Sequence, residues 1–491
     1  MPTAFAVVFA LLTTLLGTVA RPGESHAEVA FPFVLESAAR LPATGTPMPP
    51  SGKQAALVRN TSAATTTVDG SGRVVLGAIA SNCEGWPTLR VTVDGTVRGE
   101  VTITSTNEYG AYAVGTPVEP GRHAVRVSFI NDNMTSSTCD RDAFLASADM
   151  EYPISAAFGS AVFLTDSRIA ALKERVAAKT EPTYDAWNAL FTAADSDLSR
   201  EPTVPEVWMV PWAYGPHSAE ATEMMSKLRD RANAAYRLAL VYRITGDERY
   251  AVAGARQITT WIRDVKKYST AEDSTLEFSV NFPLMIAAAD LLRPSTAFPA
   301  DAQQEFATYL RRRAFTMSTM SQENNWGNWG LVLEASAAAY LRDRMAFDKA
   351  ATRWKYFIAH QIAANGELPL EVQRENGTKG IWYTSYTLHP QTLAAEIMRV
   401  NGLDLFDYHS PNGRTLRQAY ERIVGWVHDP ATFPYDKSAQ DPGGYRYHIG
   451  YWELLNARWP GPQADTVLGY RRPLKDDPMS VGMTFTHGGL L

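Results

Sequence analysis

The stretch Ser321–Gly330, SQENNWGNWG, sets adjacent amides, two indoles and glycines into an otherwise plain run of helical patterns. A second stretch, Gly366–Pro390, GELPLEVQRENGTKGIWYTSYTLHP, breaks helical periodicity and gathers Arg374, Lys379, Tyr383 and Tyr386. Long irregular segments between helices are commonly functional. An amide pair, a guanidinium and a phenol, without an obvious metal cluster, suit proton abstraction beside a carboxylate. The C5 proton of a uronic acid is very weakly acidic until the charge of the neighbouring carboxylate is neutralised. Asn N–H groups and an Arg fork can bond that carboxylate and stabilise the dianion that forms as the proton leaves. An ionised phenol can take the proton and return it to the glycosidic oxygen. Its pKa is normally ~10, so Arg374 or Lys379 is expected to lower that of Tyr383.

Each of these residues also has a structural use. Asn324 and Asn325 can cap a helix beginning near Trp329. Trp326 and Trp329, three apart, can be core, although indole faces also stack on sugars. Tyr386 reads as core or as a substrate contact, and Arg374 can pair with Glu371 or Glu375. Pro205–Glu220, PEVWMVPWAYGPHSAE, has the composition of a loop over a groove and offers Tyr214 and His217 as substrate contacts. Gly443–Leu455, GGYRYHIGYWELL, offers Arg446, Tyr447 and His448, of which His448 is taken as a substrate-binding candidate. His389, just before Pro390, reads as part of a helix-start turn.

The elements that must position these groups fall into two domains, as the 491-residue length suggests. Residues 1–27 read as a secretory signal built on the apolar stretch MPTAFAVVFALLTTLLGTVA, with cleavage after Ala20 or Ala27. This makes the protein secreted, with no membrane association once the signal is removed. Residues 28–53, rich in Pro, Gly and Ser, read as an exposed linker. Residues 54–153 alternate apolar and polar residues between Gly and Asp-Gly turns, which predicts an all-β sandwich or jelly roll. Residues 160–491 show successive helix pairs such as EMMSKLRDRANAAYRLALVYRITG and predict an all-α (α/α) barrel or toroid. The two cysteines, Cys83 and Cys139, are expected to form a disulfide in an oxidising compartment. Net charge is −6 and the 46 Lys and Arg form no basic tract, which excludes a nucleic-acid partner.

Cys83–Gly95, CEGWPTLRVTVDG, and Phe129–Asp142, FINDNMTSSTCDRD, resemble calcium-dependent xylan-binding modules of secreted plant-wall enzymes. The resemblance implies a carbohydrate-binding domain and a Ca²⁺ site, with Asp132, Asp140 and Asp142 as its carboxylate candidates. DRDAF departs from the module pattern at that site.

Asn324-Asn325-Trp326-Gly327, then LPLEVQR (Leu368–Arg374), then Tyr383-Thr384-Ser385-Tyr386-Thr387-Leu388 resemble three ordered motifs of the alginate lyase family, the family 5-type polysaccharide lyases that fold as α/α toroids. The resemblance covers most of residues 160–460. It implies Asn325 as the carboxylate-neutralising amide, Arg374 as the Arg beside the catalytic centre and Tyr383 as the catalytic Tyr, with no cofactor. Asn324 and Trp326 are then further substrate contacts. Trp326 and Thr384 stand where the family has His, and the Arg374–Tyr383 spacing is two residues longer. A lone Tyr serving as base and acid suits syn elimination, and a glucuronan or another β-1,4-linked uronan is possible beside alginate. The implied partner is an anionic polysaccharide met by a monomer. Two other classes stay open: an α/α-toroid glycoside hydrolase using acids such as Glu323 and Glu371, and a non-catalytic glycan-binding protein derived from a lyase.

Overall fold

The computed structural model describes residues 33–36, 39, 55–57, 62–106, 109–136, 139–153, 161–436, 449–474 and 481–489. The signal reading (1–27), most of the linker reading (28–53) and His448 lie outside these residues.

The alternating segments form antiparallel strands β1 (Val34–Glu36), β2 (Ala55–Leu57), β3 (Ala63–Ala80), β4 (Thr88–Val93), β5 (Thr96–Thr102), β6 (Gly110–Phe129), β7 (Met134–Ser136), β8 (Cys139–Asp140) and β9 (Ala143–Pro153). Seven of them make one hydrogen-bonded sheet in the order β2-β9-β3-β6-β4-β5, with β1 also on β3. β1 lies inside the stretch read as linker, where Val34–Glu36 pair with Thr65–Ala63. Asp94 and Gly95, both at positive φ, make the tight turn between β4 and β5 that an Asp-Gly pair favours. Val74, Leu76, Leu89, Val91, Val125, Val127 and Leu145 project from alternate positions into one apolar core.

Cys83 and Cys139 are joined by a disulfide that ties β8 to the loop before β4. Beside it, Arg141 donates to the backbone oxygens of Cys83 (2.7 Å), Glu84 (2.6 Å), Gly85 (3.0 Å) and Asn131 (2.8 Å). Of the calcium candidates, Asp140 lies on β8, and Asp132 and Asp142 flank the β7–β8 pair. Among the described residues no group of three His, Cys, Asp or Glu could hold a metal ion.

The helical domain contains α1 (Asp166–Ala177), α2 (Thr183–Asp197), α3 (Ser218–Thr245), α4 (Glu248–Asp264), α5 (Ser274–Leu291), α6 (Ala300–Arg313), α7 (Asn325–Leu341), α8 (Arg344–Gln361), α9 (Pro369–Val372), α10 (Gly380–Val400), α11 (Leu416–His428), α12 (Trp452–Arg458), α13 (Pro462–Gly469) and α14 (Met483–His487). A short parallel pair, β10 (Val207–Trp208) and β11 (Lys267–Tyr268), links two of the loops. Helices α3, α5, α7 and α10 stand side by side, and α4, α8 and α11 pack on α3, α7 and α10. Helices α5, α7 and α10 are buried on nearly every face, which is why their sequences lack the amphipathic stripe of outer helices such as α4 and α11.

Two boundaries differ from the sequence reading. Helix α7 starts at Asn325, not near Trp329, because Asn324 caps it by accepting from Trp326 N at 3.1 Å. The irregular segment ends at Lys379, and α10 then runs through Pro390, so Tyr383, Tyr386 and His389 are helical. Full burial of α10 hid its periodicity, and Gly377 at positive φ marks the turn that precedes it.

Dialysis against EDTA tests the calcium expectation, a fall in the thermal midpoint supporting it, and Arg141→Met should destabilise the β-domain by about 2 kcal/mol, the scale of lost charged hydrogen bonds. Calorimetry of both samples checks this pair.

Candidate active site

Three elements of the helical domain converge. The first leads into α7, where the cap at Asn324 turns the chain so that Asn325 points inward, 2% exposed. Its backbone N–H donates to Glu371 Oε1 at 3.2 Å, and Nδ2 lies 3.2 Å from both Glu371 oxygens. A carboxylate only accepts, so this contact fixes which end of the Asn325 amide carries nitrogen. Glu371 sits on α9, a single turn opened by Pro369. Burial raises its pKa, against the pull of Asn325 and Arg374.

The second element is α10. Tyr383 is 5% exposed, and the Arg374 guanidinium lies 4.2 Å from its ring centroid. The expectation that cations lower this phenol's pKa is corrected. Burial, and then the hydroxyl of Tyr214, push it up to about 12, with Arg374 opposing. Lys379 lies over the Tyr214 ring instead, 5.0 Å from its centroid.

The third element is the loop between β10 and α3. Its path is set by the start of α5: Ser274 Oγ accepts from Val210 N at 2.9 Å, Glu272 from Trp212 N at 2.5 Å, and Asp273 from Ala213 N at 2.7 Å. Held there, Tyr214 is 66% exposed, yet its hydroxyl meets that of Tyr383 at 2.9 Å. Trp212 of the same loop faces Trp326, with centroids 6.4 Å apart. The two hydroxyls, Arg374 and Lys379 form one cluster, and Asn325 joins it through Glu371, which both Asn325 and Arg374 approach.

Other candidates have different uses. Trp326 is half-buried beside Trp212. Tyr386 stacks on Trp382 (4.9 Å) and tilts against Trp329 (5.0 Å), so it supports the α10 wall. His217 is exposed and contacts Glu220 at 3.2 Å, at the start of α3. His389 is fully buried, stacked on Tyr451 at 5.3 Å, away from solvent. Glu323, one of the hydrolase candidates, pairs with Arg353 at 2.9 Å, and its pKa is lowered. Glu371, the other, is committed to Asn325. The sequence reading missed Glu371 as the partner of Asn325 and Trp212 as the partner of Trp326. The E in LPLEVQR was a signal for the first.

Residues 188–433 match the family model described as Alginate lyase. An alginate lyase of Pseudomonas fluorescens is 32% identical over 114 residues, 23% of this chain and 29% of that protein. One from Cobetia marina is 28% identical over 114 residues, with the same shares. The match thus spans under a third of these relatives' length. Among solved structures, an alginate lyase from Bacteroides ovatus superposes with a TM-score of 0.54 at 18% identity, covering 67% of this chain and 99% of that one. Alginate lyase A1-III from Sphingomonas species A1 gives 0.53 at 18% identity, covering 68% and 97%. At such identity these likenesses establish the helical fold. A carbohydrate-binding module in complex with calcium and xylotriose covers 24% of the chain at a TM-score of 0.19, too slight a likeness to carry an argument.

Tyr214→Phe should bring the Tyr383 phenol down from about 12, because the hydroxyl partner that favours its protonated form is gone. Tyrosine-ring ¹³C NMR titration of wild type and variant would show the shift.

Proposed function

The chain belongs to the alginate lyase family, and from that premise we propose that it is a secreted polysaccharide lyase that cleaves a uronate-containing chain, alginate or a β-1,4-linked glucuronan, by β-elimination. The observation that carries this reading is the cluster of Tyr383, Tyr214 and Arg374 beside the Glu371–Asn325 pair. In it a uronate carboxyl meets the second Asn325 N–H and the Arg374 guanidinium, which offset its charge. Ionised Tyr383 takes the C5 proton. The electron pair forms the C4–C5 double bond as the C4–oxygen bond breaks, and Tyr383 returns the proton to the departing oxygen. Water is not consumed, and the phenolate is regenerated.

Glu371 sets the geometry of Asn325 without touching the sugar in this scheme, and Trp326 with Trp212 gives an aromatic wall for a neighbouring residue of the chain. Trp326 in place of a His base leaves Tyr383 to act alone, which favours syn elimination. We read the β-domain as a sandwich and assign it no metal in this chemistry. We read the protein as a monomer. The disulfide supports an oxidising, extracellular destination. A hydrolase is disfavoured because Glu323 is tied to Arg353 and Glu371 to Asn325, so neither of these acids is placed to flank a glycosidic bond.

Tyr383→Phe should abolish the ultraviolet absorbance gained as unsaturated ends form from a polyuronate, while substrate binding persists. Wild-type turnover in that variant would remove Tyr383 from the mechanism. Asn325→Ala should lower kcat roughly 10²-fold or more, the scale of losing one donor to a developing oxyanion. A phenol raised to about 12 is almost wholly protonated near neutrality, and its reactive form grows as pH rises. Accordingly kcat/KM should climb about tenfold per pH unit from about pH 7 to 9, and a flat profile would contradict the assignment of the base.

A further inference from the structure

The β-domain bears on the helical domain through a buried face. Ile79 and Phe144, with Tyr109, form an apolar cluster separate from the β-domain core. They project from β3 and β9 on the face opposite Leu76, Ala78 and Leu145. On this face a side chain at Gly77 would come within 2.8 Å of Pro411 Cβ. Asn412, next to Pro411, donates to Ala359 O of α8 at 2.8 Å. Tyr408 of the same loop packs edge-on against Trp354 of α8, with centroids 6.0 Å apart. Farther along α8, Thr352 donates directly to Glu151 O of β9.

The residues of α8 next to those contacts hold the approach to the site. Arg353 donates to the oxygens of Met320 (3.0 Å), Ser321 (3.1 Å) and Gln322 (2.9 Å), three consecutive carbonyls of the loop that enters α7. Gln361 donates to Glu323 O at 2.7 Å and accepts from Asn328 at 2.9 Å and from Gln391 of α10 at 2.8 Å. One helix thereby fixes four successive carbonyls before Asn324 and ties them to the helix that carries Tyr383. The loop lies so close to the first turn of α7 that a Cβ on Gly327 would sit 2.0 Å from Gln322 O. The loop therefore cannot move without moving that turn, which includes Asn325.

We propose that α8 is a strut: the β-domain bears on one side of it, and on the other Arg353 and Gln361 act as positioning residues that hold Asn325 in register with Tyr383. Hence the β-domain is part of the catalytic framework rather than a detachable binding module. The catalytic half of this inference rests on the role given to Asn325 above; the mechanical half does not.

The test compares the full-length protein with Arg353→Gln, Arg353→Lys and Gly77→Val, measuring elimination kinetics on a polyuronate and hydrogen exchange of the backbone amides of residues 324–328. Arg353→Gln should lower kcat about tenfold to a hundredfold with KM within about twofold, and should speed exchange of those amides. Arg353→Lys should recover part of both. Gly77→Val, in the other domain, should speed exchange of the same amides. Wild-type exchange and kcat in folded Arg353→Gln would overturn the positioning role. Wild-type exchange at residues 324–328 in folded Gly77→Val would overturn the strut. A wild-type protein that eliminates no polyuronate would defeat the functional reading alone, because the exchange data still decide the mechanical claim.

Discussion

A single buried contact organises the site: the Glu371 carboxylate receiving the backbone N–H and the side-chain amide of Asn325. It joins the first turn of α7 to the short turn α9, and with Arg374 three residues beyond Glu371 it also sets where the guanidinium stands over Tyr383. A buried carboxylate is costly unless hydrogen-bonded, and an amide left without its partner is costly as well. Each therefore makes the other necessary. The result is an amide whose nitrogen end is fixed before any ligand arrives, the preorganisation that stabilising a developing charge requires.

Much of this was legible from residue types. Asn325, Arg374 and Tyr383 stand out as amide, guanidinium and phenol, and the alternating and helical patterns mark out the strands and helices that form. What the sequence hid has physical causes. α10 is buried all round, so Tyr383 and Tyr386 looked as if they lay on an irregular loop. The pKa of Tyr383 was expected to fall because Arg374 and Lys379 are near in sequence. Burial and the Tyr214 hydroxyl, distant in sequence, outweigh Arg374, and Lys379 faces Tyr214. Asn324 and Asn325 were weighed together as caps or ligands, yet the chain divides the roles: the first caps, and the second turns inward.

The β-domain shows how one residue can tie a loop together. In the stretch around Asp140 and Asp142, Arg141 between them bonds four backbone oxygens. Its charge orders the loop beside the disulfide. The domain's outer face is likewise not presented to solvent as a free platform where Ile79 and Phe144 lie, since both are buried. Burying apolar area along a seam favours a fixed orientation between domains over a flexible tether.

The central claim is that the bond is broken by elimination at Tyr383 and not by water. Incubating the protein with an oligouronate in ¹⁸O-water and weighing the fragments by mass spectrometry tests it most directly. The account predicts fragments whose masses sum to that of the parent, with one unsaturated end and no ¹⁸O introduced at the cleaved bond. Fragments that together gain one water and carry ¹⁸O would mean hydrolysis and would contradict it.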